Sequence, residues 1–163
     1  MKLRQLVLAA SVVAAAASSA LVSTAAYAQA KEQFFPVLPY RTGAYAPNGV
    51  PWANGYSDYL RLINSRDGGI NGVKISSEEC DTAYATDRGV ECYERLKGKA
   101  KGSVFQPLST GITFALTEKA PSDQNPLITG GYGRSESSDG GVFKWNFPLM
   151  GTYWSGADII MQF

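Results

Sequence analysis

Short apolar runs alternate with Gly-, Ser- and Pro-rich loops and with amphipathic stretches along residues 33–163, and this alternation constrains the fold more than any other feature. It is typical of βα units, in which a strand is followed by a loop and then by a helix that crosses back over the sheet. The sequence therefore predicts an α/β protein built on a parallel sheet.

The alternation places each element of this sheet. The predicted strands are 34–38, 73–75, 103–106, 126–129 and 142–147, and the predicted helices are 51–65, 85–97, 112–118 and 151–163. Within the first helix, apolar residues recur every three or four positions and form one face for the sheet, namely Trp52, Tyr56, Tyr59, Leu60 and Ile63. In the second helix, Val90, Tyr93 and Leu96 mark the buried stripe.

Residues 1–28 have the features of an export signal. Lys2 and Arg4 provide a basic start, residues 6–22 are apolar, and residues 26–28 are Ala-Tyr-Ala, which suits a signal peptidase. A membrane anchor is the alternative, but the apolar run is short for a span of about 20 residues and polar sequence follows it at once. We expect the mature chain to begin near Gln29 and to be periplasmic.

Composition limits the partners and the chemistry of residues 29–163, which have the length of one domain. The net charge of the chain is +1 with both signs mixed, which argues against nucleic acid and favours a small neutral or zwitterionic partner. The chain has no histidine, so Ser-His-Asp and Cys-His catalysis are excluded. In an oxidising compartment, Cys80 and Cys92 are expected to form a disulfide.

Three loops rich in glycine and hydroxyls should meet beyond the carboxyl ends of the strands, where open α/β sheets bind ligands: 40–49, 108–111 and 130–135. Ser109 and Thr110 precede a predicted helix and are candidates for a carboxylate cradle, with plain N-capping as the alternative. Gly131 and Gly133 would let the backbone approach a ligand closely. Neither a phosphate loop nor a dinucleotide motif is present, so no nucleotide cofactor is expected.

Other side chains near these loops leave two interpretations open. Tyr45, Trp52 and Tyr132 would either wall a ligand or serve the structure, and Arg41 and Arg134 would either pair an acid or lie at the surface. The acidic residues Glu78, Glu79 and Asp81 resemble a solvated turn more than the separated carboxylates of glycoside chemistry. No serine nucleophile motif is present. We therefore expect no catalytic residue and no metal site.

Three phrases carry a family resemblance: residues 34–49, residues 62–74 with the run Asn-Ser-Arg-Asp-Gly-Gly-Ile-Asn-Gly-Val-Lys, and residues 91–96 with Glu-Cys-Tyr-Glu-Arg-Leu. They resemble the start of a periplasmic substrate-binding protein of the branched-chain amino-acid class. These type I binding proteins serve ABC importers. The resemblance extends from about Glu32 to the end of the sequence.

The resemblance implies a three-layer lobe, a parallel sheet with helices on both faces, which closes with a second lobe on a ligand. In such proteins one hydroxyl loop holds a carboxylate, a second loop holds an ammonium, and the first βα loop forms a side wall. The residues that match here are Ser109, Thr110, Gly131, Gly133, Tyr45 and Asn48. Gly133 stands where amino-acid binders often have a threonine, which puts the amino-acid specificity in doubt.

The resemblance also implies that residues 29–163 form an incomplete N-terminal lobe whose second lobe is absent. A chain of this kind should bind ligand weakly or not at all and should be prone to aggregation. The expected function is capture of a small amino acid or related compound for an ABC permease, without a cofactor. The alternative is a ligand-sensing ectodomain or regulator on the same fold.

Overall fold

The computed structural model describes residues 31–163, so the predicted signal peptide lies outside the described residues. The elements, in chain order, are β1 (Glu32–Val37), α1 (Ala46–Asp67), β2 (Lys74–Glu79), α2 (Thr86–Leu96), α3 (Thr110–Leu116), α4 (Ala120–Asp123), β3 (Leu127–Thr129), a 3₁₀ turn (Ser135–Ser137), β4 (Asn146–Pro148) and α5 (Tyr153–Met161). None of the helices within this range is long and apolar enough to cross a membrane.

The strands pair in parallel, as the alternation predicts. β1 pairs with β2 from Glu32↔Lys74 to Val37↔Glu79, and β3 pairs with β4 from Leu127↔Asn146 to Thr129↔Pro148. The predicted strand 103–106 is reduced to a single parallel bridge, in which Phe105 lies beside Leu127. Both backbone polar groups of Phe105 are nevertheless hydrogen-bonded to the segment of β3. The Phe105 N–H donates to Pro126 O, and Phe105 O accepts from the Ile128 N–H, both at 2.8 Å.

Helices cover both faces of β1 because successive strand residues point to opposite sides. Phe35 and Val37 face α1. They form one apolar cluster with Ile75 of β2 and with Trp52, Tyr56, Leu60 and Ile63 of α1. Phe34 and Leu38 face the other way, into the larger core of Tyr93, Leu96, Phe105, Ile112, Leu116 and Leu127. The fold is therefore the expected three-layer α/β arrangement.

Helix α1 begins earlier than the sequence predicts, at Ala46 instead of residue 51. Pro47 fits the first turn because its missing N–H would have no partner within the helix there. Gly49 is buried, and a Cβ at this position would lie 1.9 Å from the carbonyl oxygen of Tyr40. The glycine that suggested a loop thus serves close packing. Tyr59, which we assigned to the buried face, is 60% exposed.

The predicted disulfide is confirmed, and it joins the end of β2 to α2. Cys80 and Cys92 are bonded, with their Cα atoms 5.8 Å apart. Cys92 is buried beside Tyr93, whose ring packs on Phe105 with centroids 4.6 Å apart. Burial raises the pKa of Tyr93 to about 12, while its hydroxyl donates to Asp123 Oδ2 at 2.9 Å. Helix α2 is therefore fixed to the sheet both covalently and by packing.

The last part of the described chain is apolar but lies at the surface. None of the α5 residues is buried among residues 31–163, and Trp154, Ile160 and Met161 are 64%, 75% and 85% exposed. β4 is also shorter than the predicted strand 142–147, since only residues 146–148 pair with β3. Val142, at the start of the predicted strand, is 68% exposed.

Candidate functional site

A polar hollow runs alongside α3, from Thr110 at the start of the helix to Thr117 at its C-cap, and is bordered by the loop that follows β3 and by Asn146 at the start of β4. Its lining residues are Thr110, Thr113, Phe114, Thr117, Tyr132, Gly133, Arg134, Glu136, Ser137 and Asn146. Its volume is about 200 Å³, part of which is open solvent. The hollow is therefore smaller than a typical ligand pocket of about 300–1,000 Å³.

Two of the predicted site residues, Thr110 and Gly133, line this hollow together. Ser109 does not line it, because Ser109 is the N-cap of α3 and its hydroxyl accepts from the Ile112 N–H at 3.4 Å. The side chain of Ser109 is thus used for capping, the alternative that the sequence left open.

The backbone of Ser109 nevertheless supports a residue that lines the hollow. The Thr113 hydroxyl donates to Ser109 O at 2.8 Å, and the Thr117 hydroxyl donates to Thr113 O at 2.9 Å. The three residues follow one another at intervals of four, which places them on one face of a helix. This spacing is visible in the sequence and would have identified Thr113 and Thr117 as site residues.

Tyr132 connects the loop after β3 to helix α3. Its hydroxyl lies 3.5 Å from Thr113 Oγ1. Burial raises the pKa of Tyr132 to about 12, so the phenol stays neutral at physiological pH. Because the single hydrogen of the Thr113 hydroxyl points to Ser109 O, Tyr132 is the donor of the pair.

Gly131 and Gly133 both have backbone angles that favour glycine, with φ of 101° and 147°. Gly131 is exposed, and a Cβ there would meet none of the described atoms within 4 Å. Gly133 is buried, and a Cβ there would lie 2.8 Å from Ser137 Cβ and 3.5 Å from Thr129 Oγ1. A side chain at position 133 would therefore collide with the 3₁₀ turn that forms one wall.

Tyr45 and Asn48 are not among the lining residues of this hollow. Tyr45 is half exposed in an aromatic group with Tyr40 and Tyr84, at centroid distances of 6.5 and 4.5 Å, and Asn48 is exposed in the first turn of α1. Their predicted role as a side wall remains a prediction.

Arg41 forms an internal ion pair instead of a free surface charge. Its guanidinium contacts both oxygens of Glu79 and donates to Asn54 Oδ1 at 2.7 Å. The backbone N–H of Arg41 donates to Asp81 Oδ1 at 2.8 Å, and the Thr42 hydroxyl donates to Asp81 Oδ2 at 2.6 Å. The acidic residues that resembled a solvated turn therefore fasten the loop after β1 to the end of β2.

Tyr153 is a site neighbour that the sequence reasoning missed. Its backbone N–H donates to Gly133 O at 3.0 Å, and its hydroxyl lies 2.7 Å from Thr110 Oγ1. Arg134 completes the rim, with its guanidinium carbon 3.9 Å from the centroid of the Phe114 ring. No sequence pattern connects residues 110 and 153, so only the fold reveals this contact.

The described residues contain no group of three or more His, Cys, Asp or Glu side chains that could hold a metal ion. The hollow offers hydroxyls, backbone groups, an amide and a single carboxylate that lies near an arginine. This arrangement suits reversible binding of a small polar molecule.

Parallel α/β lobes commonly bind ligands near the carboxyl ends of their strands. The family model for periplasmic binding proteins matches residues 32–163, and the chain belongs to that family. A comparison with curated proteins finds no match.

Solved structures share the fold. One described as an ABC transporter permease from the Pseudomonas fluorescens group is 49% identical, with a TM-score of 0.72 over 78% of this chain and 31% of its own. A substrate-binding periplasmic protein from Ralstonia solanacearum is 22% identical, with a TM-score of 0.59 over 75% and 34%.

The branched-chain amino acid transporter substrate-binding protein LivJ from Streptococcus pneumoniae, solved with isoleucine, is 24% identical, with a TM-score of 0.54 over 60% and 28%. The chain thus spans about a third of the length of the solved proteins it matches. The two structures below 25% identity establish the fold alone.

Proposed function

We propose that this protein is a periplasmic solute-binding component of an ABC importer, which captures a small amino acid or related compound reversibly. The family membership supports the binding role, and the hollow that Thr110 and Gly133 line together is the observation that supports a site there. The predicted leader in residues 1–28 supports export to the periplasm.

The shape of the hollow supports a site that needs a second wall. Ligand pockets usually enclose about 300–1,000 Å³ and bury most of the ligand. The hollow here has an empty volume of about 200 Å³ and is open on one side. We infer that closure of a second lobe over this face would complete the site, and that residues 29–163 alone bind ligand only weakly.

Chemical-shift mapping tests the site. The ¹⁵N-labelled chain is secreted into the periplasm of an expression host, purified, and titrated with L-leucine and L-phenylalanine. We expect saturable shifts at Thr110, Tyr132 and Gly133, with dissociation constants in the millimolar range. The intact mass of the purified protein reports at the same time whether residues 1–28 are removed.

A matched pair of variants sharpens the test. Thr110→Val removes a hydroxyl from the hollow and should weaken binding several-fold, whereas Ser77→Ala removes an exposed hydroxyl on β2 and should not. Shifts that appear only in the hollow beside Arg88 and Arg95, or in no part of the protein, would refute the proposed site.

A further inference from the structure

Asparagine is followed by glycine at three places in the sequence, namely 48–49, 54–55 and 71–72. Asparagine is a thermolabile residue, because the backbone nitrogen of the next residue can attack the carbonyl carbon of its side chain. A glycine in the next position has no Cβ to hinder this approach. The asparagine is exposed in all three pairs, so the pairs differ mainly in the backbone structure that the fold gives them.

The first two pairs lie in α1 and are held by the helix. Gly49 is buried, and its N–H donates to Tyr45 O at 3.1 Å. Gly55 lies in the interior of the helix, where each N–H donates to the carbonyl four residues earlier. Asn54 Oδ1 also accepts from Arg41 Nη1 at 2.7 Å. Rotation of either peptide toward attack would therefore break hydrogen bonds inside a helix of 22 residues.

The third pair forms the tip of an exposed turn between α1 and β2. Ile70 and Val73 exchange two backbone hydrogen bonds across this turn, both at 2.9 Å. Asn71 and Gly72 have φ angles of 51° and 80°, the positive values that a type I′ turn requires at its two central residues. Neither of these two hydrogen bonds uses the N–H of Gly72. Rotation of the peptide between Asn71 and Gly72 therefore disturbs a short turn instead of a helix.

We propose that Asn71 is a modification site, at which the folded protein converts asparagine to aspartate and isoaspartate. The nitrogen of Gly72 attacks Cγ of Asn71, so that an N–Cγ bond forms and the Cγ–Nδ2 bond breaks. Nδ2 leaves as ammonia and takes the N–H proton of Gly72 with it. Water then opens the cyclic imide, either at Cγ to give aspartate or at the backbone carbonyl carbon to give isoaspartate. The reaction needs only solvent water and does not depend on the proposed binding function.

Isoaspartate at position 71 should loosen the turn. Its backbone runs through Cγ, which adds one carbon atom between Ile70 and Val73, whose two hydrogen bonds depend on the present spacing. The modification also adds a negative charge, which takes the net charge of the chain from +1 to zero. The isoaspartyl form can therefore be separated by ion exchange, and in that form we expect the Val73 N–H to exchange with solvent faster than in the unmodified protein.

Peptide mapping by mass spectrometry tests the site. The purified secreted chain is incubated at mildly alkaline pH and, in parallel, at mildly acidic pH, where the attacking nitrogen keeps its proton and conversion should be slow. At alkaline pH we expect Asn71 to convert at least about tenfold faster than Asn48 or Asn54, because an opening free energy that is about 1.4 kcal/mol lower makes the open turn tenfold more populated. A methyltransferase specific for isoaspartate should label the product at position 71.

Two controls show whether the fold selects the site. In the reduced chain unfolded in urea, the three pairs should convert at similar rates, because they are the same dipeptide. Asn71→Gly keeps a residue that accepts positive φ and should remove most of the early charge change, whereas Asn54→Ala should leave conversion at Asn71 unchanged. Similar rates at the three pairs of the folded protein, earlier conversion at Asn48 or Asn54, or a wild-type rate of charge change in Asn71→Gly would overturn the inference.

Discussion

Replacing Gly133 by alanine should destabilise the protein and distort the hollow. The φ angle of 147° is rarely adopted by residues with a Cβ, and holding one there costs about 1–3 kcal/mol. The new Cβ would also lie 2.8 Å from the Cβ of Ser137, which is itself buried and so has little room to move. Overpacking of this kind adds about 1–3 kcal/mol.

We therefore expect Gly133→Ala to lower the free energy of unfolding by about 4 kcal/mol, the middle of the summed costs, which moves the urea midpoint down by about 2 M at a typical slope of about 2 kcal/mol per M. Gly140→Ala is the matched control, because Gly140 has no positive φ and a Cβ there would have open space. It should be neutral or slightly stabilising.

A double variant separates the cost of backbone strain from the cost of the Cβ overlap. Combining Gly133→Ala with Ser137→Gly removes the Cβ–Cβ overlap and leaves the backbone strain, so the loss relative to Ser137→Gly alone should fall to about 1–3 kcal/mol. A Gly133→Ala protein within 0.5 kcal/mol of the wild type, or one no less stable than Gly140→Ala, would refute the reasoning.

Three further changes should have measurable effects. Reducing the Cys80–Cys92 disulfide, which closes a loop with a sequence separation of 12, should lower the free energy of unfolding by about 3 kcal/mol in urea titrations with and without dithiothreitol. Burial alone would raise the pKa of Asp81, but the hydrogen bonds that its carboxylate accepts outweigh burial and hold the pKa below the ordinary value of 3.8. Asp81→Asn should therefore lower the free energy of unfolding by about 1–3 kcal/mol at pH 7. This loss should shrink as the pH falls below 3.8, because the wild-type carboxylate then becomes protonated. Tyr153→Phe should cost less than about 1 kcal/mol in the same titrations, because its bond to Thr110 is exposed.

The parallel α/β architecture could be predicted because the apolar runs that form β1, β2 and β4 are each followed by a helical period. The ends of the individual helices and strands were harder to predict from the sequence. Gly49 and Pro47 looked like loop residues, yet Pro47 starts a helix and Gly49 permits contact with Tyr40. Residues 103–106 have a strand composition, but only Phe105 finds a partner, in Leu127.

The loops of the candidate site could be predicted from the sequence, but the residues that later segments bring to it could not. Thr110 and Gly133 follow strand ends in sequence, and the fold brings them to one hollow. Asn146 and Tyr153 reach it from later segments, and no local pattern signals a contact made across the fold. Ser109 shows the opposite limit, since one hydroxyl can cap a helix or meet a ligand and the sequence alone does not decide between them.

Tyr132 has a thermodynamic consequence for any molecule that enters. Its hydroxyl lies 3.5 Å from Thr113 Oγ1 and so links the loop after β3 to α3 before a ligand arrives. Loops that are already ordered lose little conformational entropy on association, so most of that loss falls on the incoming molecule. Rigid ligands should consequently bind to this protein more tightly than flexible ligands of equal polarity.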